Sequence, residues 1–284
     1  MKNLFPTLVC PGGWGKLMVC TDGSDEGQNA VAVALELAVA CDSQVIAVQV
    51  LHVVPEFQAV APDLRATLGK GVRENMAVIK AAADKLGVAL KTMTPEGQTP
   101  HAAIVATAEK IHPDLVIMGR CGKSALARIL MGNVTARVIG LSPTNVLVVP
   151  RGGMIGFQRI LVASDGSSYS QAAWELALAM AKQAKSRLIG VAVAPEEGDI
   201  IEAKAIIRRM LTAASLVRVP FKGVNPQGVA PDTGIVQQAI KHEVDLIIVG
   251  SYGRTGLRKL LMGSVTERVI GGSPCPILVV KQPG

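Results

Sequence analysis

VGSYGRTGLRKLLMGS, residues Val249 to Ser264, follows an apolar run, Leu246 to Val249, that reads as a buried strand, and it leads into a segment that reads as a helix start. Gly250, Gly253 and Gly263 stand where a chain leaving a strand needs tight turns and close backbone approach, and Arg254, Arg258 and Lys259 add positive charge around them. Backbone amides with cations nearby are a common means of holding phosphate. The same text stands 131 positions earlier: Met118 to Asn133 reads MGRCGKSALARILMGN, with Gly119, Gly122 and Gly132 in identical register. One such glycine pattern is a weak signal. Two in register, each after an apolar run, mark a repeated unit.

The repeat divides the 284 residues into two domains of ordinary size, each able to bury its own core. Aromatic residues make up only 3%, while Ala, Val, Ile and Leu dominate. That balance suits parallel strands buried on both faces and packed against Ala-rich helices, so the class is α/β. A net charge of +7 and a pI near 9.3 permit an anionic partner, but the basic residues are dispersed among acidic ones without a run of five or six. Stacking aromatics and a dense basic face are both missing, which argues against nucleic acid and for a small phosphorylated molecule. Mean hydropathy is high at +0.38, yet no stretch reaches about 18 uninterrupted apolar residues. A membrane span is therefore not expected. The N-terminus has neither the apolar length nor the cleavage site of a secretory signal, so the expected location is the cytoplasm. Five cysteines, odd in number and without CxxC spacing, suggest neither a disulfide framework nor a zinc site.

In chain order, Leu17 to Cys20 reads as a short strand ending at Thr21-Asp22-Gly23-Ser24, and a helix follows with Ala30, Val33, Ala34, Leu37, Ala38 and Cys41 on one face. Asp25 with Gln28 resembles a capping arrangement at its start. Val45 to Val54 reads as a second strand closed by Pro55, Val88 to Thr92 as a third, Leu115 to Met118 as a fourth and Val146 to Val149 as a fifth, with helices between. After the Gly-rich connector at residues 151–156 the order restarts. Ile160 to Ala163 is the strand, Asp165 ends it, Ser168 and Gln171 form an S-x-x-Q box, and Leu188 to Ala194 repeats the second strand with Pro195 matching Pro55. Asp22 and Asp165 are 143 residues apart, whereas Gly119 and Gly250 are 131 apart, so the second copy is 12 residues shorter between strand two and the helix before strand four. Short connections between alternating strands and helices demand a parallel sheet with right-handed crossovers and helices on both faces. Ligands then sit outside the carboxyl ends of the strands, at the topological switch point.

Gly263-Ser264 with Glu267 reads as a helix start in which Ser264 caps and Glu267 reaches back, leaving amides that favour an anion. Gly122-Lys123-Ser124 imitates the end of a Walker A loop, but that motif needs a glycine where Ile117 stands, and the reading is rejected. Lys123 and Arg254 occupy equivalent places and serve either as phosphate partners or as solvated cations. The histidines are scattered, no nucleophile elbow or HExxH pair occurs, and no catalytic residue is assigned. Asp22 and Asp165 end a strand at the expected crevice, where a carboxylate either accepts hydrogen bonds from a base or sugar, holds Mg²⁺, or only stabilises the turn.

At these residues the chain resembles the universal stress protein family, as a tandem member with domains at 16–150 and 157–281. The signature Gly-x-x-Gly, nine residues, Gly-Ser/Thr is complete as Gly250, Gly253, Gly263 and Ser264, and the Asp-Gly-Ser at Asp165 to Ser167 and the ending Ser273 to Val280 match as well. The resemblance implies two doubly wound domains, each a five-stranded parallel sheet in the order 3-2-1-4-5, and binding of ATP, with AMP and ADP as alternatives and Mg²⁺ as a companion. Carried over by position, Asp165 and Val193 face the adenine end, Gly250, Gly253, Gly263 and Ser264 hold ribose and phosphates, and Arg254 adds charge. The first half matches at Asp22, Val53, Gly119, Gly122 and Gly132 and departs at Asn133, where Ser or Thr is expected. Family members pair through the fifth strand, which implies pairing of the two halves within the chain and is compatible with a homodimer. The expected role is a stress-response sensor or binding module, with slow ATP hydrolysis or a nucleotide-free scaffold acting on an unidentified protein partner as the competing readings.

Overall fold

A computed structural model describes residues 8–52, 62–121, 131–253 and 262–282. The chain forms two compact units, one whose main body starts at Trp14 and ends at Gly152, the other running on from Gly153.

In the first unit the elements are β1 (Lys16–Cys20), α1 (Asp25–Cys41), β2 (Gln44–Val48), β3 (Leu51–His52), α2 (Pro62–Leu86), β4 (Leu90–Met93), β5 (Glu96–Gly97), α3 (Pro100–Ile111), β6 (Leu115–Gly119), α4 (Asn133–Leu141) and β7 (Val146–Val149). Its sheet runs β4-β2-β1-β6-β7, every neighbour parallel. The second unit holds β8 (Arg159–Ala163), α5 (Ser168–Ala184), β9 (Arg187–Val191), a 3-10 turn (Glu197–Asp199), α6 (Ile200–Leu216), β10 (Phe221–Val224), α7 (Pro231–Lys241), β11 (Leu246–Gly250), α8 (Ser264–Gly272) and β12 (Ile277–Val280). Here the order is β10-β9-β8-β11-β12, again parallel throughout. Both units are doubly wound α/β folds.

The central strands are apolar end to end because helices cover both faces. Leu17, Met18 and Val19 of β1, Leu115, Val116 and Ile117 of β6, and Ile247 and Ile248 of β11 have no accessible surface at all. Small residues on the helices let them lie close to the sheet: Ala30, Ala34 and Ala38 in α1 and Ala173, Ala177 and Ala181 in α5 are buried. The order places β2 and β6 on opposite sides of β1, and β9 and β11 on opposite sides of β8. A crevice opens above the central strand of each unit.

Several local expectations shift. The helix after each first strand is capped one residue earlier than the sequence suggests: Ser24 and Ser167, both extended, accept hydrogen bonds from the Gly27 and Ser170 amides at 3.1 and 3.2 Å. A cap residue must hold a non-helical backbone while its oxygen reaches the third amide, and these serines sit where the turn supplies that geometry. Gln28 and Gln171 do not reach back; Gln28 donates to Asn75 and Gln171 to Glu175. The second strand ends at Val48 rather than Val54. The chain then steps into β3, which pairs with β5 in a small separate sheet.

Equivalent hydrogen bonds set the register of the copies. Leu51 N–H donates to Pro95 and Ala194 N–H to Pro226, so Val50 stands where Val193 stands and His52 where Pro195 stands. Pro55 is therefore not the counterpart of Pro195. The offset between copies is 143 residues up to this point and 131 from β4 onward, since β4 begins at Leu90 and β10 at Phe221. Part of the difference lies in α2, with 25 residues against 17 in α6. Cys10 and Cys41 are disulfide-bonded, against the expectation of unpaired cysteines, while Cys20, Cys121 and Cys275 carry free thiols. Among the described residues, no helix is long and apolar enough to cross a membrane.

Candidate functional site

In the second unit the strand-one turn, the strand-four end and the start of α8 converge on one cavity of about 310 Å³. Asp165, Val193, Gly250, Gly253, Gly263 and Ser264 all line it. The glycines serve different ends. A Cβ on Gly250 would stand 2.8 Å from the backbone C and O of Tyr169, so glycine there lets the first turn of α5 press on the end of β11. That is a packing role, at a residue that also lines the cavity. A Cβ on Gly253 would stand 2.7 Å from Asp165 Oδ2, which brings the loop after β11 against the strand-one carboxylate. Among the described residues Gly263 has neither constraint: its φ of −65° suits any residue, and the nearest of their atoms to a Cβ are at 3.4 Å or more.

Gly263, not Ser264, is the N-cap of α8, and Ser264 is the first helical residue. The proposed Ser264–Glu267 box is absent, since no side chain caps this end. The Gly263 amide donates to Ser251 O at 3.0 Å. The amides of Ser264, Val265 and Thr266 follow, at the positive end of the helix dipole. Thr266 fixes the helix to the strand through Oγ1, which donates to Gly250 O at 2.9 Å. Asp165 Oδ1 accepts from the Ser167 amide at 3.0 Å, so one carboxylate oxygen is used in the turn. Asp199 and Glu202, at the start of α6, add acidic groups to the cavity on the β9 side. Tyr252 lines it as well, its ring 5.2 Å from that of Tyr169, and its hydroxyl pKa is raised by burial and by Tyr169.

The first unit repeats the frame with other side chains. A cavity of about 610 Å³ is lined by Asp22, Gly119, Val50 and Thr135, and Asp22 Oδ1 accepts from the Ser24 amide at 3.0 Å. A Cβ on Gly119 would meet the Glu26 backbone at 3.0 Å, the same packing role as at Gly250. Thr135 Oγ1 donates to Gly119 O. The N-cap is Gly132, so Asn133 does not cap; its Oδ1 accepts from Arg137 Nε at 3.1 Å on the surface. Where the second unit has Tyr252, the first has Cys121, whose amide donates to Glu26 Oε2 at 2.6 Å. Burial and the Glu26 carboxylate raise the Cys121 thiol pKa, and Cys20, also in the lining, is pushed up to about 12 by burial.

Arg254, Val53 and Gly122 lie outside the described residues. The register shows that Val50, not Val53, is the counterpart of Val193. The sequence reading does not single out Thr135, Thr266, Asp199, Glu202, Gln49 or Asn75, and it gives Gln28 only a capping part. The threonines are legible in the repeat, since each stands three residues after the last glycine of its loop, Gly132 or Gly263, at equivalent positions. Among the described residues, no three metal-ligating side chains cluster.

Residues 13–150 and 201–281 match the family described as "Universal stress protein family". A universal stress protein of Methanocaldococcus jannaschii is 36% identical over 149 residues, covering 47% of this chain and 87% of its own. One from Thermus aquaticus is 31% identical over 136 residues, covering 44% of this chain and 99% of its own. Among solved structures, a universal stress protein from Archaeoglobus fulgidus superposes with a TM-score of 0.79 at 22% identity, covering 94% of this chain and 96% of its own. That likeness extends the shared fold over both units.

Proposed function

The chain belongs to the universal stress protein family, and on that premise we propose that it binds adenine nucleotides, ATP foremost, in the second-unit cavity, and acts as a stress-response sensor or binding module in the cytoplasm. The observation that carries the reading is Gly263. Neither its backbone angles nor its neighbours among the described residues require glycine, yet it sits at the mouth of a helix whose first amides have no side-chain cap and which opens on a cavity. A glycine in that position leaves room for a ligand to approach the backbone, and the ligand class that suits a helix N-terminus is an anion. Phosphates occupy the β11–α8 side. Ribose hydroxyls and the 6-amino group are donors, and they face the acceptors Asp165, Asp199 and Glu202 on the β9 side. Mg²⁺ bound to the phosphates would supply charge neutralisation there.

Equilibrium dialysis with ATP tests the assignment. Gly263→Val fills the approach, its Cβ standing 3.4 Å or more from the described residues, and we expect at least a tenfold loss of affinity. Affinity unchanged by this substitution refutes the reading.

A further inference from the structure

The first-unit cavity contains a chain of side-chain amides that the second lacks. Gln28 Nε2 donates to Asn75 Oδ1, and Asn75 Nδ2 donates to Gln49 Oε1 at 2.7 Å. Gln49 and Asn75 line the cavity, and Gln49 is only 7% exposed. The copy offsets put Ala192 at the place of Gln49 and Ile206 at that of Asn75, while the counterpart of Gln28, Gln171, turns to Glu175 on the surface. Nor does the first unit repeat the acids of the second: Leu68 and Gly71 stand where Asp199 and Glu202 are.

The direction of the chain determines what it offers. With Oε1 of Gln49 taken by Asn75, its Nε2 is left as the donor of this nearly buried side chain, in a cavity whose lining includes the apolar Val48, Leu68, Val72 and Ile104. A ligand acceptor that reaches this donor replaces water with a hydrogen bond made beside those apolar walls. Gln49 follows β2 and Asn75 lies on α2, on the side of β1 away from β6, where the start of α4 offers its amides to an anion. A ligand spanning the cavity thus meets the amides with the end opposite its phosphate. We propose that the first unit selects a different nucleotide from the second: a 6-oxopurine nucleotide, whose O6 accepts from Gln49 Nε2, in preference to adenine, whose 6-amino group is itself a donor. This rests on the family's frame being a nucleotide site in both units.

Calorimetric titration of the full chain with inosine monophosphate and with ATP tests it. We expect inosine monophosphate to bind at one site per chain, more tightly there than adenosine monophosphate. Gln49→Leu and Asn75→Leu should each weaken it at least tenfold while leaving ATP affinity in the second unit within twofold, which also reports that the variants are folded. Absence of inosine monophosphate binding at millimolar concentration overturns the proposal, as does affinity unaltered by Gln49→Leu, or a first-unit preference for the adenine analogue. Loss of inosine monophosphate binding through Gly263→Val instead would assign it to the second unit and refute the proposal as well. ATP binding sensitive to Gly263→Val stands or falls separately, so the two readings fail in different experiments.

Discussion

Gly250→Ala and Gly263→Ala should separate packing from binding within one signature. At Gly250 a new Cβ lands 2.8 Å from the carbonyl carbon and oxygen of Tyr169, atoms of backbone that cannot rotate away, so α5 must shift off β11. Overpacking of this kind costs about 1–3 kcal/mol, and the gain from replacing a strand glycine by alanine returns about 0.5–1, leaving a net loss of roughly 1–2 kcal/mol. At Gly263 the Cβ meets none of the described residues closer than 3.4 Å. Its φ of −65° is open to alanine, and the entropy gain of about 0.4–1 kcal/mol is offset by the poorer helix cap that alanine makes, so stability should stay within about 0.5 kcal/mol. Urea unfolding followed by circular dichroism reads both. With a slope of about 1–3 kcal/mol per molar for a domain of this size, the second unit's midpoint should fall by roughly 1 M in Gly250→Ala and barely move in Gly263→Ala. Equal midpoints for the two variants would refute the division of roles drawn from the structure. The matching change in the first unit, Gly119→Ala, meets backbone at 3.0 Å and should cost less than Gly250→Ala.

Further outcomes can be checked independently. Ser251 is 1% exposed and its Oγ has no hydrogen-bond partner, so Ser251→Ala should raise stability by about 1 kcal/mol in the same urea assay. Burial pulls the Lys281 pKa down from 10.5 to about 8. The folded state then binds fewer protons than the unfolded one between those values, so stability should rise as pH increases from about 8 to 10.5, and Lys281→Met should be more stable at pH 7 and lose that slope. Lys185 closes α5 with a left-handed backbone at φ 56°, and Lys185→Gly should add up to about 1 kcal/mol, read as a higher Tm. Burial holds the Cys20 and Cys275 thiols at about 12 and about 11, so among the free thiols a disulfide reagent at pH 8 should label Cys121 first and the others only on unfolding.

The repeat, the alternation of strand and helix and the two glycine loops are legible because they depend on short-range pattern. Strands covered on both faces must be apolar throughout, and the runs at Leu115 to Met118 and Leu246 to Val249 declare this without reference to any partner. Caps were legible only to within a residue. Ser24 and Asp25, or Ser167 and Ser168, offer similar chemistry, and the choice depends on which backbone the preceding turn holds extended. The second-strand counterpart was misplaced because Pro55 and Pro195 look alike in sequence, whereas the true correspondence, Val50 with Val193, follows from hydrogen bonds across to the neighbouring segment.

By itself, the sequence determined the α/β class, the duplication and the position of the crevice, since periodicity and chain connectivity follow from local sterics and the handedness of crossovers. Tertiary structure alone decided what each glycine is for and what each cavity offers. Gly250 and Gly119 face helix backbone at Tyr169 and Glu26, 81 and 93 residues before them in the chain, and only packing brings these together. The amides of Gln28, Gln49 and Asn75 meet from three separate elements in the same way. Contacts between residues distant in the chain are set by how elements stack, and no local pattern of a single sequence records them.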